Sequence, residues 1–200
     1  MKGDMSKNTK PTALVVEDDI NREETLKVQL ASQFNLIFVT NVKAAETVLT
    51  NGLAKELDLL IVDLMLPLDE IEAKRHRTLD AERMALFEEF ASDTRSLESP
   101  RTFKETDRDQ RLLNLDARVR KCLNMEGGIA VVEACRHALA DGDTPKPLTI
   151  PTLFVTARES PSLEKHALEL VERGKAEWLT KPVTRQQLDD ALERVFFCRK

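Results

Sequence analysis

One stretch constrains the fold of this chain more than any other: Leu57–Pro67, reading LDLLIVDLMLP. Leu59, Leu60, Ile61 and Val62 run without polar alternation, the pattern of a strand covered on both faces inside a parallel sheet. Asp63 then falls at the carboxyl end of that strand, the edge at which open α/β sheets place their ligands. Pro67 closes the run, since proline cannot extend a strand in the middle of a sheet.

Taken in order, the flanking segments support the same reading. After a polar leader and Pro11, TALVV is a short buried strand that ends in the acids Glu17, Asp18 and Asp19. Asn21 is the expected N-cap of a helix over 22–32, in which Leu26 and Leu30 share a face. Asn35–Val39 reads as a second strand. Asn41 caps a helix over 42–51 with a stripe of Ala45, Val48 and Leu49, stopped at Asn51-Gly52. Strand and helix alternating at this pace imply parallel pairing with right-handed crossovers.

The alternation then stalls. From Leu68 to Met125 the chain is dense in both charge signs, and its apolar residues recur at helical spacing. Leu79, Leu86, Phe87 and Phe90 form one series; Leu112, Leu115, Val119 and Leu123 form another. A breaker region, Ser96–Thr106 with Pro100, lies between them, and Thr102 with Glu105 is a possible capping box. The expectation is a helical hairpin over about 69–95 and 103–125. After Gly127-Gly128 the α/β rhythm resumes. A helix is expected over Ile129–Ala140, with Ile129, Val132, Cys135 and Leu139 available for packing. A fourth strand follows at Thr152–Thr156, then a helix from Pro161 to about Arg173. The fifth strand is Ala176–Thr180, and a last helix is capped by Thr184.

Bulk properties exclude several classes. With 42% hydrophobic and 32% charged residues, the 200-residue chain can bury a core. A net charge of -5 and a pI near 5.4 lack the basic footprint of a generic phosphate-backbone binder, so direct DNA binding is not expected. Cys122, Cys135 and Cys198 lack metal-ligand spacing and read as reduced thiols, Cys135 in the core. The leader MKGDMSKNTK is polar, and the first apolar run, Ala13–Val16, is too short for a signal or a membrane span. The expected localisation is cytoplasmic, with no membrane partner.

Chemistry-bearing residues now fall at the carboxyl ends of four strands: Glu17, Asp18 and Asp19 after the first, Asp63 after the third, Thr156 after the fourth, Lys181-Pro182 after the fifth. In a doubly wound sheet of order 2-1-3-4-5 those strands are neighbours, so the groups meet at one crevice. Clustered carboxylates without Cys or His make a hard oxygen site suited to Mg²⁺. A hydroxyl and an ammonium beside them suit a phosphoryl group, whose oxygens need donors and positive charge.

The pieces ALVVEDD, DLLIVDLMLP, IPTLFVTAR and EWLTKPV together resemble the response-regulator receiver domain of two-component signalling, over about 11–67 and 127–200. The resemblance implies a flavodoxin-like fold, a five-stranded parallel sheet of order 2-1-3-4-5. It implies that Asp63 is the phospho-acceptor, taking a phosphoryl group from a sensor histidine kinase or a phosphotransfer protein and catalysing its own dephosphorylation. By the same resemblance Asp18 is a direct Mg²⁺ ligand and Glu17 a ligand through water. Asp63 and the backbone carbonyl of Met65 complete the protein's share of that shell. Thr156 bonds a phosphoryl oxygen and moves when it arrives, and Lys181 pairs with the acyl phosphate. Trp178 occupies the position of the switch aromatic, or serves as a buried strand anchor. Met65 and Arg158 flank the site, where the phosphoryl lifetime would be tuned.

The chain departs from that family by an inserted helical hairpin at 68–126, after a disordered leader at 1–10. No room for an output domain follows the last helix, so the chain is expected to act as a stand-alone regulator. The hairpin is then the expected output element, through a homodimer or a protein partner, with Phe196 and Phe197 a competing surface. An alternative is a phosphorylation-independent scaffold presenting the hairpin. Retention of mutually repelling acids argues against it. A phosphatase of the haloacid dehalogenase type would want D-x-D on the first strand, where the chain has VEDDI. A conventional metabolic enzyme is not expected.

Overall fold

Five apolar runs form one parallel sheet in the computed structural model, which describes residues 10–93, 103–142, 144–157 and 160–197. The strands are β1 (Thr12–Val16), β2 (Asn35–Val39), β3 (Leu59–Val62), β4 (Thr152–Thr156) and β5 (Ala176–Thr180), in the order β2-β1-β3-β4-β5. β3 lies in the middle, pairing with β1 and β4. Its lack of alternation follows from that position. Leu60 and Val62 point into one cluster, with Leu49 of α2 (Val42–Thr50) and Val132 and Cys135 of α5 (Gly127–Ala138). Leu59 and Ile61 point into the other, with Leu26 and Leu30 of α1 (Ile20–Leu30) and Leu188 and Leu192 of α7 (Arg185–Leu192). Helices on both faces of a parallel sheet in this order make the flavodoxin-like fold that receiver domains share.

Local expectations hold at several caps. Asn41 Oδ1 accepts the Ala44 amide at 2.9 Å, and Thr184 forms a capping box with Gln187. Elsewhere the ends move. Asp19, not Asn21, caps α1: its carboxylate takes the amides of Asn21 and Arg22, so the helix begins at Ile20. Ile20 is exposed, and apolar periodicity therefore carried no sign of that first turn. α5 starts at Gly127 and ends at Ala138, two residues earlier at each end than expected. α6 (Pro161–Glu169) stops short of Arg173 because the chain beyond it pairs as a strand would. The Leu148 amide donates to the Leu170 carbonyl and the Glu172 amide to the Leu148 carbonyl, both at 2.8 Å. Leu170 and Val171 are buried either way, which is why the helical stripe ran through them.

Between β3 and α5 the chain forms α3 (Glu70–Asp93) and α4 (Phe103–Lys121). They run antiparallel, with Leu79 against Val119 and Cys122, and Arg83 bridging Asp80 and Asp116. Leu86 is buried, whereas Phe87 is 48% exposed and Met84 and Leu113 are exposed as well. The leader up to residue 9, Pro100 and Thr102 of the breaker region, Arg158 and Cys198 lie outside the described residues, as does the side chain of Phe90. Among the described residues no helix is long and apolar enough to cross a membrane.

Candidate functional site

Register brings the acids together. Val16 of β1 pairs with Val62 of β3, so Glu17 and Asp63 leave the sheet side by side, and the Asp63 amide donates to the Val16 carbonyl at 3.0 Å. The Glu17 amide is likewise tied to Val39 of β2. Glu17, Asp18 and Asp63 are 3%, 6% and 5% exposed, and one carboxylate oxygen from each lies within 4.8 Å of the others.

Lys181 enters from the end of β5, where its amide donates to the Thr156 carbonyl at 2.8 Å and the Lys181–Pro182 bond is cis. Its Nζ lies 2.6 Å from Asp63 Oδ2 and 2.9 Å from Glu17. The other Asp63 oxygen accepts the Met65 amide at 3.0 Å. Thr156 is fully buried at the end of β4, opposite Thr180 of β5. Glu17, Asp18, Asp63 and Lys181 therefore meet as expected. Met65 joins through its amide, and Thr156 stands at the neighbouring strand end. Asp19 is diverted to capping α1. Trp178 is half-buried with its ring 6.0 Å from that of Phe154.

The electrostatics follow from burial. Desolvation pushes the Glu17 carboxyl up to about 7, against the attraction of Lys181 and with repulsion from Asp63 and Asp18. Burial also raises Asp63, opposed by Lys181 and by the Met65 amide. For Lys181, burial disfavours the charged amine, but the carboxylates of Asp63 and Glu17 outweigh it and hold its pKa above the ordinary value.

One ammonium against three buried carboxylates leaves unbalanced negative charge, and Asp18 Oδ2 has no aligned hydrogen bond. An all-oxygen donor set of this kind fits a hard divalent cation such as Mg²⁺. A pH dependence follows. Folded, Glu17 keeps its proton to about 7; unfolded, it releases it near 4.5. Its contribution is therefore complete below the lower value and is lost as pH rises through the upper one. The metal-free protein is expected to melt at progressively lower temperature from about pH 5 to about pH 8, with Mg²⁺ stabilising it most at the upper end. Glu17→Gln should flatten that slope. An equally steep slope in the variant, in thermal melts with and without chelator, would refute the assignment.

One residue at the site carried no motif. His76, on α3, places Nδ1 2.8 Å from Asp18 Oδ2 with its side chain 15% exposed. The available signal was phase: His76 lies three residues from Ala73 and three from Leu79, both buried on the inner face of α3.

No protein-family model and no curated protein matches the chain. Solved structures do resemble it. A CheY-like response-regulator receiver domain from Methylobacillus flagellatus aligns over 94% of this chain and 99% of its own, at 19% identity and a TM-score of 0.49. Chemotaxis protein CheY4 of Vibrio cholerae covers the same shares at 16% identity and a TM-score of 0.49. A fusion carrying the trimeric coiled coil of yeast Spc42 aligns over 94% of this chain and 78% of its own, at 14% identity and a TM-score of 0.51. At such identities the likeness is one of fold.

Proposed function

We propose that the chain is a Mg²⁺-dependent response regulator that accepts a phosphoryl group at Asp63. The observation that carries this reading is the pairing of a buried carboxylate cluster with Lys181, whose Nζ lies 2.6 Å from Asp63. A sensor histidine kinase or a phosphotransfer protein is the donor. An Asp63 oxygen attacks the phosphorus of the donor phosphohistidine, the P–N bond breaks, and the imidazole leaves with the bonding pair. Glu17, Asp18 and Asp63, with the Met65 carbonyl, hold Mg²⁺. Bound there, the ion supplies positive charge for the phosphoryl oxygens. Lys181, already hydrogen-bonded to Asp63, neutralises the acyl phosphate. The Thr156 hydroxyl donates to a phosphoryl oxygen, and Trp178 responds as the neighbouring strand end rearranges. Water later hydrolyses the acyl phosphate.

The output is a change in oligomeric state or in binding of a protein partner through residues 68–126. Met84, Phe87 and Leu113 on the α3–α4 pair are the exposed apolar groups that favour this surface. They favour equally the second reading, a scaffold that presents the same surface without phosphorylation.

The test uses Trp178, the chain's only tryptophan. Mg²⁺, then beryllofluoride or acetyl phosphate, is titrated against fluorescence in the unaltered chain and in Asp63→Ala. A saturable, Mg²⁺-dependent change lost in the variant, with a phosphoryl adduct by intact mass, is expected. No response and no adduct would leave the scaffold reading standing.

A further inference from the structure

Asp18 is held differently from its two neighbours. Glu17 and Asp63 share Lys181, and Asp63 also takes the Met65 amide. For the Asp18 side chain the contact recorded among the described residues is His76 Nδ1, 2.8 Å from Oδ2. At this separation the buried oxygen nonetheless accepts no hydrogen bond in this structure. His76 is not part of the three-carboxylate group itself, and its link to the cluster runs through Asp18.

His76 is also tethered. The amides of Val42 and Lys43, at the start of α2, donate to the carbonyls of Pro67 and Leu68 at 3.0 Å. Asp69 accepts the amides of Ile71 and Glu72 in the first turn of α3, and Lys43 Nζ lies 3.1 Å from its carboxylate. Ala73 is fully buried a turn before His76. With the start of α3 fixed in this way, the imidazole cannot leave Asp18 unless its own rotamer or the helix shifts.

We propose that His76 is a positioning residue of the cation site: it orients the Asp18 carboxylate, and so builds α3 into that site. This rests on the cation reading above. Carboxylates that ligate a metal are themselves held by hydrogen bonds from outside the coordination shell, and losing such a partner costs about 10- to 100-fold in metal affinity. On this proposal the ring N–H donates to Oδ2 once the carboxylate is drawn to a cation. The coupling is reciprocal, so Mg²⁺ that binds better with His76 docked also holds the first turns of α3 more firmly.

Calorimetric Mg²⁺ titration of the full chain, with amide exchange over residues 70–80, tests this. His76→Ala should bind Mg²⁺ about 10- to 100-fold more weakly, while His76→Asn, which restores a side-chain N–H near Oδ2, should stay within about threefold of the unaltered chain. Leu79→Ala, which loosens α3 against α4 without touching Asp18, should leave the affinity unchanged. Mg²⁺ should slow exchange over 70–80 in the unaltered chain and not in His76→Ala. Unchanged affinity in His76→Ala, a His76→Asn variant as weak as alanine, or an equal loss in Leu79→Ala would overturn the assignment. An unaltered chain that binds no Mg²⁺ would instead overturn the cation reading on which it stands.

Discussion

Replacing Lys181 with methionine is expected to destabilise the metal-free protein by about 3–5 kcal/mol at neutral to alkaline pH, the cost of removing one partner from a buried ion pair. The side chain of Lys181 is 20% exposed and those of Glu17 and Asp63 3% and 6%, so little water is available to replace the lost ammonium. Methionine keeps most of the aliphatic stem, which confines the change to the charge and its hydrogen bonds. The loss should shrink toward about pH 5, where the raised Glu17 carboxyl takes up a proton and needs no counter-charge. Added Mg²⁺ should recover part of it. Lys165→Met removes an exposed lysine 3.9 Å from Glu169 and should change nothing measurable. Denaturant titrations at the two pH values decide the matter. Equal stability of Lys181→Met and the unaltered chain at the higher pH would contradict the ion-pair geometry.

Gly128→Ala is expected to be the second large effect. A Cβ at this position would stand 2.3 Å from the Asp63 carbonyl oxygen and 2.9 Å from Leu64 Cα. These are backbone atoms, which cannot swing aside as a side-chain tip can. Gly127 is similarly close, its Cβ 2.8 Å from that of Leu66. Overpacking of this kind costs up to about 3 kcal/mol, against which alanine gains about 0.5–1 kcal/mol in helix propensity. A net loss near 2 kcal/mol is expected, together with weaker Mg²⁺ binding because the Asp63 backbone must shift. Gly142→Ala, where a Cβ meets nothing within 4 Å, is the matched control. A Gly128→Ala protein with unaltered stability and unaltered Mg²⁺ affinity would mean that α5 does not press on Asp63 as closely as described.

The parts legible in the sequence were those fixed by local pattern. Four unbroken apolar residues at Leu59–Val62 identified a strand covered on both faces, and the order of strand and helix left little freedom in pairing. Strand-end placement then predicted that Glu17, Asp18, Asp63 and Lys181 would converge. The misplaced boundaries have a common cause. Asp19 outcompetes Asn21 as a cap through two backbone amides, and Leu170 and Val171 remain buried while leaving the helix for Leu148. Apolar phase reports burial, and burial does not distinguish a last helical turn from an adjacent bridge.

His76 marks the other limit. Its inward phase on α3 was readable, but its meeting with Asp18 was not, because nothing in the periodicity of a helix says where that helix is aimed. The aim of α3 is set by the amides of Val42 and Lys43 on the carbonyls of Pro67 and Leu68, and by the bridge between Leu66 and Asn124 that pins the two roots of the α3–α4 pair together. The amino-acid sequence alone thus determined which acids and which lysine stand at each strand end, since strand polarity carries every such residue to the same edge. Only the tertiary structure decided that α3 would lie against Asp18, since long-range backbone hydrogen bonds at its root select that course.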